Sequence, residues 1–232
     1  AAGLVLLCFA SLFFRKMGDG DKVWKFDAFG LLIVLLMAII LLCSLTSVAL
    51  SSSLQICLLY FAFMSFYFTI INTVKTKQQV YTMLMVFVVS GFFVAAYGII
   101  QYVFGLDMDK QVWIDETMFS DIKMRAFSTL ENPNVLGEYL LLVIPVAVAF
   151  LWCKKGVWTK IGYAAITGVL VLCLILTMSR GCWVGLLVAA AIYITFVDGR
   201  YWLLGFVALA ALPSVLPDSI LNRFLSIGNL AD

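Results

Sequence analysis

Two arginines interrupt a strongly apolar sequence and are the residues best suited to chemistry. Arg125 opens R-A-F-S-T-L-E-N-P-N-V-L-G-E-Y-L, residues 125 to 140, and Arg180 lies in T-M-S-R-G-C-W-V-G, residues 177 to 185. A guanidinium in such surroundings is costly unless it faces a cavity, a partner or the interface. Its planar fork grips phosphate or carboxylate oxygens two at a time and stays charged when partly desolvated. The chemistry on offer is recognition of an anion. Asn132 is a good N-cap and Pro133 suits a first helical position, so a helix starting there would turn its free N–H groups and positive dipole end toward that anion. Arg125 is close enough in sequence to fold over it. Glu138 follows Asn134 by four residues and shares its helix face, so Arg125 or Arg180 is its expected partner. Plainer roles stand beside these: Glu138 as a structural anchor for an arginine, and Arg180 as a residue snorkelling to the interface.

No histidine occurs in the chain, which removes the commonest metal ligand and general base. The six cysteines, Cys8, Cys43, Cys57, Cys153, Cys173 and Cys182, are scattered singly through apolar runs without a C-x-x-C pair. They read as small core residues, and neither a metal nor a cofactor is expected.

The elements that must position the arginines are membrane helices. With 64% hydrophobic and 12% charged residues and a mean hydropathy of +1.10, the chain is far from the roughly 25% charge of a soluble domain. Its net charge of +2 gives no support to nucleic-acid binding. Apolar runs bounded by charge predict an all-α polytopic bundle of about eight spans: 1–14, 28–49, 51–74, 80–104, 134–153, 161–179, 182–197 and 201–217. The stretch 161–197 would run about 55 Å as one helix, too long for a core of about 30 Å. It must be a hairpin broken at Ser179-Arg180-Gly181, where the glycine is expected to supply the freedom for the reversal. A tight turn is likewise expected near Ser51-Ser52-Ser53, a kink at Pro145, and a small-residue packing contact at Gly181 and Gly185.

Arg15, Lys16, Lys22 and Lys25, then Lys75 and Lys77, then Lys154, Lys155 and Lys160, then Arg200 fall in alternate loops, which are therefore expected to be cytoplasmic. Arg125, Arg180 and Arg223 fall on the opposite, external side. So does the polar loop at about 105–133, long enough to be functional. Trp113, Trp152, Trp158, Trp183 and Trp202 sit near span ends, as an aromatic belt would place them. Residues 1–232 are thus expected to form a single transmembrane domain, multi-pass in a plasma membrane and surrounded by lipid. Neither end resembles the natural terminus of a polytopic protein, so a larger protein is expected.

The first motif, continued as L-L-V-I-P, together with the downstream T-M-S-R-G-C-W-V-G-L-L, resembles the O-antigen ligase and Wzy-type polymerase superfamily of bacterial membrane glycosyltransferases. The likeness covers roughly 80 to 232 in span order and about 30 residues in motif. It implies a GT-C-like enzyme that takes a glycan from a polyprenyl diphosphate at the outer face and transfers it to an acceptor hydroxyl on a glycan or lipid-glycan, without a metal. It also implies that Arg125 and Arg180, and less directly Arg223, hold the diphosphate; the residues themselves add Asn132 and Asn134 at the start of the fifth span to that site and Glu138 as the candidate catalytic carboxylate. Ligase members carry a histidine in a second external loop; its absence here implies that the corresponding loop lies beyond Asp232. A repeat-unit polymerase shares the same motifs. A solute or anion transporter, which needs polar groups and broken helices near the bilayer midplane, and a non-catalytic scaffold are the readings from other classes.

Overall fold

A chain in hydrocarbon must satisfy its own backbone N–H and C=O groups, and a helix does so within one segment. The computed structural model describes residues 2–18, 24–106, 125–153 and 155–197, and its regular elements are helical. They are α1 (Ala2–Gly18), α2 (Ala28–Leu45), α3 (Leu50–Thr73), α4 (Lys77–Phe104), α5 (Pro133–Cys153), α6 (Val157–Leu176) and α7 (Arg180–Val197), with a short 3-10 turn at Ser128–Leu130. No strand occurs among the described residues. Helices α2 to α6, of 18, 24, 28, 21 and 20 residues, are each long and apolar enough to cross a membrane. The apolar stretch of α7, Arg180–Phe196, is shorter, and α1 has 17 residues with Arg15 and Lys16 in its last turn. The expected span at 201–217 lies outside the described residues, as does most of the expected external loop.

The helices form two compact units, Ala1–Thr82 and Met83–Asp232. In the first, α3 packs against both α1 and α2. Buried Asn72 ties the connection together at one end: its Oδ1 accepts from Lys16 Nζ at 3.0 Å and from the Lys25 amide at 2.9 Å. Asp27 caps α2 by accepting from the Gly30 amide at 2.8 Å, and it also accepts from the Tyr67 hydroxyl at 2.7 Å. The Tyr67 hydroxyl, then the Gly30 amide, hold the Asp27 carboxyl below its ordinary range. Arg15, Lys16, Lys25 and Lys75 thus gather at the end where α1 and α3 finish and α2 begins. The reversal between α2 and α3 is made by residues 46–49, one turn earlier than expected. Ser51 to Ser53 already belong to α3, where Ser53 Oγ donates to Ser47 Oγ at 2.7 Å.

In the second unit α5 is the centre and packs on both α6 and α7. Leu136, Leu140, Val143 and Ala147, one helix stripe, are fully buried. In lipid such a stripe is held by close packing more than by water exclusion, so small residues matter at the crossings. A Cβ on Gly91 of α4 would lie 2.7 Å from Val143 Cγ1, and one on Gly137 of α5 would lie 2.5 Å from Cys182 Sγ. Gly185 of α7 meets Leu141, but Gly181 has nothing within 4 Å of an added Cβ. The packing contact is therefore Gly137 and Gly185 across α5 and α7, and not the expected pair along α7. Pro145 lies inside α5, which continues to Cys153.

The α6–α7 reversal also differs from expectation in its chemistry. The left-handed residue is Met178, at φ 53°; Gly181 already belongs to the first turn of α7. Trp183 is buried and its indole N–H donates to the Leu174 carbonyl at 3.3 Å, fastening the hairpin. It is a lock between two helices, not the belt residue expected. Trp152 and Trp158 remain exposed near the other end of these helices, close to Lys155 and Lys160.

Candidate functional site

The site is built from two short connections that meet where α5 and α7 begin. The first is Arg125–Asn132. The Ala126 amide donates to the Leu176 carbonyl at 2.9 Å, which pins this strip to the end of α6. Arg125 follows the same edge: its Nε donates to the Thr177 carbonyl at 2.8 Å and its Nη2 to Asn134 Oδ1 at 2.9 Å. Two anchors from different elements fix the plane of the guanidinium. Behind it, Ser128 Oγ donates to the Val94 carbonyl at 2.7 Å, and the Phe127 and Ser128 amides both donate to Oε1 of Gln101 on α4, at 3.3 and 2.8 Å.

The second connection is Thr177–Ser179. Thr177 is fully buried and its hydroxyl donates to the Leu174 carbonyl at 2.7 Å, leaving its own carbonyl for Arg125. Ser179 Oγ donates to Cys182 Sγ at 3.3 Å, and Cys182 Sγ lies 3.8 Å from the Asn134 carbonyl, so the first turns of α7 and α5 touch. Arg180 is the first residue of α7, where the helix dipole favours anions nearby.

Between these connections lies a cleft of about 490 Å³. Arg125, with Asn134, Glu138 and Leu141 of α5, lines it together with Met178, Ser179, Arg180, Gly181 and Cys182 of the α6–α7 hairpin. Among the described residues its lining holds two guanidiniums and one carboxylate. Among the described residues the non-glycine residues with positive φ are Ser128 at 52°, Glu131 at 59° and Met178 at 53°. All three belong to the two connections that frame the cleft. Left-handed backbone at such residues is strained by about 1–3 kcal/mol each and persists only where the surroundings hold it, as functional sites do.

The residues singled out in the sequence fall as follows. Arg125, Asn134, Glu138 and Arg180 share the cleft; Asn132 stands behind it; Arg223 lies outside the described residues. The expected free N–H groups at the start of α5 are not available. Pro133 has none, the Asn134 and Val135 amides donate to Asn132 Oδ1 at 2.8 and 3.4 Å, and the Leu136 amide donates to the Asn132 carbonyl at 2.9 Å. Asn132 is thus the helix cap, and α5 offers only its dipole. Thr177 and Asn134, not Glu138, accept from Arg125 Nε and Nη2. Glu138 avoids desolvation differently, by being exposed at the cleft. Among the described residues no three His, Cys, Asp or Glu side chains gather as a metal ion would require.

Gln101, Ser128, Thr177, Met178 and Cys182 were not foreseen. Gln101 carried a readable signal, since it continues the buried stripe Val88, Gly91, Ala95, Gly98 of α4 and a carboxamide there must find a backbone partner. Comparison with protein-family models, with curated proteins and with solved structures found no match.

Proposed function

We propose that this protein is a GT-C-like membrane glycosyltransferase of the bacterial plasma membrane. It transfers a glycan from a polyprenyl diphosphate to an acceptor hydroxyl on a glycan or lipid-glycan at the outer face, in the manner of an O-antigen ligase. The observation that carries this reading is the convergence of Arg125, from the connection before α5, and Arg180, the first residue of α7, on one cleft at helix ends.

In such a transfer the acceptor oxygen bonds to the anomeric carbon while the bond from that carbon to the diphosphate oxygen breaks. The electron pair leaves on the diphosphate. Guanidiniums fixed before the reaction stabilise that charge where it develops. Arg125, held by Thr177 and Asn134, and Arg180, at the N-terminus of α7, face the departing oxygens. Glu138 is the carboxylate of the cleft suited to take the acceptor's hydroxyl proton. Leu141 and Met178 border the cleft with apolar surface suited to the polyprenyl chain. Arg223 would add to the diphosphate site.

A repeat-unit polymerase uses the same bond changes and differs in its acceptor. Transport is less well supported: α2 to α6 are unbroken, and the polar cluster sits at helix ends and not at mid-span. A polyprenyl diphosphate bearing a photoreactive group beside the diphosphate tests the reading. In membranes holding the full chain, the label is expected on residues 138–141 or on Met178, and excess inorganic pyrophosphate should suppress it. Labelling confined to the Lys155 and Lys160 end would overturn the proposal.

A further inference from the structure

We infer that Gln101, in α4 and outside the cleft, is the positioning residue that sets Arg125. This rests on the diphosphate reading above for its functional consequence, but the geometry stands apart from it. Gln101 is 1% exposed, and its Oε1 is the acceptor for two successive amides, those of Phe127 and Ser128. Phe127 has φ −129° and ψ −13°, and Ser128 is left-handed at φ 52°. The turn aims these two successive N–H groups at one point, 3.3 and 2.8 Å from a single oxygen, which makes a small concavity for an acceptor. The carboxamide oxygen of Gln101, with two lone pairs, plugs that concavity.

The consequence travels two residues. The Phe127–Ser128 turn fixes the strip Arg125–Ala126, whose other edge is pinned to the Leu176 and Thr177 carbonyls. Gly98 makes room for the turn, since a Cβ there would lie 3.3 Å from Ser128 Cβ. The strip is therefore clamped between α4 and the α6–α7 hairpin. Without the Gln101 acceptor, two buried amides lose their partner and the left-handed Ser128 loses the contact that offsets its strain. The guanidinium then leaves its place at the cleft although no cleft residue has changed.

Gln101 Nε2 is buried with no hydrogen-bond partner among the described residues. What the turn requires of this side chain is its oxygen. That makes the substitution series sharp. Gln101→Met keeps length and removes the acceptor. Gln101→Glu keeps an acceptor oxygen, and the carboxyl stays neutral when buried without a cation.

The experiment measures phenylglyoxal modification of Arg125 by mass spectrometry in the full chain, reconstituted in nanodiscs, together with binding of inorganic pyrophosphate. Gln101→Met is expected to speed modification of Arg125 and weaken pyrophosphate binding, each by about tenfold, as loss of two backbone hydrogen bonds implies. Gln101→Glu is expected to behave as the parent. In an Arg125→Ala background, Gln101→Met should weaken pyrophosphate binding no further. Unchanged Arg125 modification in a folded Gln101→Met protein would overturn the inference, and so would additive losses in the double variant. If modification responds as expected but the parent protein fails to bind pyrophosphate, the positioning role stands and the diphosphate reading falls.

Discussion

Replacing Arg180 by alanine in the full chain is expected to abolish glycan transfer to the cell surface at normal protein levels, and Arg125→Ala to do the same. A single preorganised donor to a developing oxyanion is worth on the order of 10²–10³ in rate. Lysine should separate the two sites. At Arg180, lysine keeps a positive charge beside the α7 dipole and is expected to retain part of the activity. At Arg125, one ammonium cannot reproduce the planar two-point anchoring to the Thr177 carbonyl and Asn134 Oδ1. Arg125→Lys is therefore expected to approach the alanine variant. The measurement is surface glycan in cells where the variant is the sole copy, with protein levels followed in the same membranes. Unchanged glycan in both alanine variants at normal protein levels would remove the glycosyltransferase reading.

The second large effect is expected at a residue with no side chain. Gly137 lets α5 and α7 approach until an added Cβ would meet Cys182 Sγ at 2.5 Å and Cys182 Cβ at 3.1 Å. The sulfur can turn away only about one side-chain bond, and the Cβ is fixed to the backbone, so α7 must give by a few tenths of an ångström. Gly137→Ala is expected to destabilise the protein by about 1–3 kcal/mol, as overpacking does, and to displace Arg180 at the start of α7. Adding Cys182→Ala removes the sulfur but leaves the Cβ contact, so it should recover stability in part. Gly181→Ala is the contrasting change. It lies beside Cys182 and lines the cleft, yet an added Cβ there meets nothing within 4 Å. It is expected to leave stability unchanged or slightly raised, since alanine is the better helix former. Thermal unfolding in one detergent decides the series, and equal midpoints for Gly137→Ala and Gly181→Ala would contradict the close approach of the two helices.

These two cases show what could be read from the chain in advance. The five long apolar helices and the capping of α5 by Asn132 follow from local rules, namely apolar length and the Asn-Pro pair. So does the suspicion that Arg125 and Arg180 matter, because charge is scarce in apolar sequence. Their meeting in one cleft is tertiary, and depends on Gly137 and Cys182 setting the distance between α5 and α7. The partners of Arg125 escaped prediction because one is a backbone carbonyl, at Thr177, and every residue carries one. The general preference of glycine for left-handed backbone points to Gly181 for the hairpin reversal. Met178 takes that conformation instead, in a turn fastened by Ala126, Arg125 and Trp183. Packing and hydrogen bonds from elsewhere in the chain outweigh a local preference of about a kilocalorie.

The most direct test of the central claim is transfer by the purified full chain in lipid vesicles supplied with a polyprenyl-diphosphate glycan and an acceptor glycan or lipid-glycan. The account predicts that the glycan moves to the acceptor, that free polyprenyl diphosphate appears in equal amount, and that Arg180→Ala does neither. Intact donor after prolonged incubation with folded protein would contradict it, most decisively if the same vesicles carried an anion across the membrane.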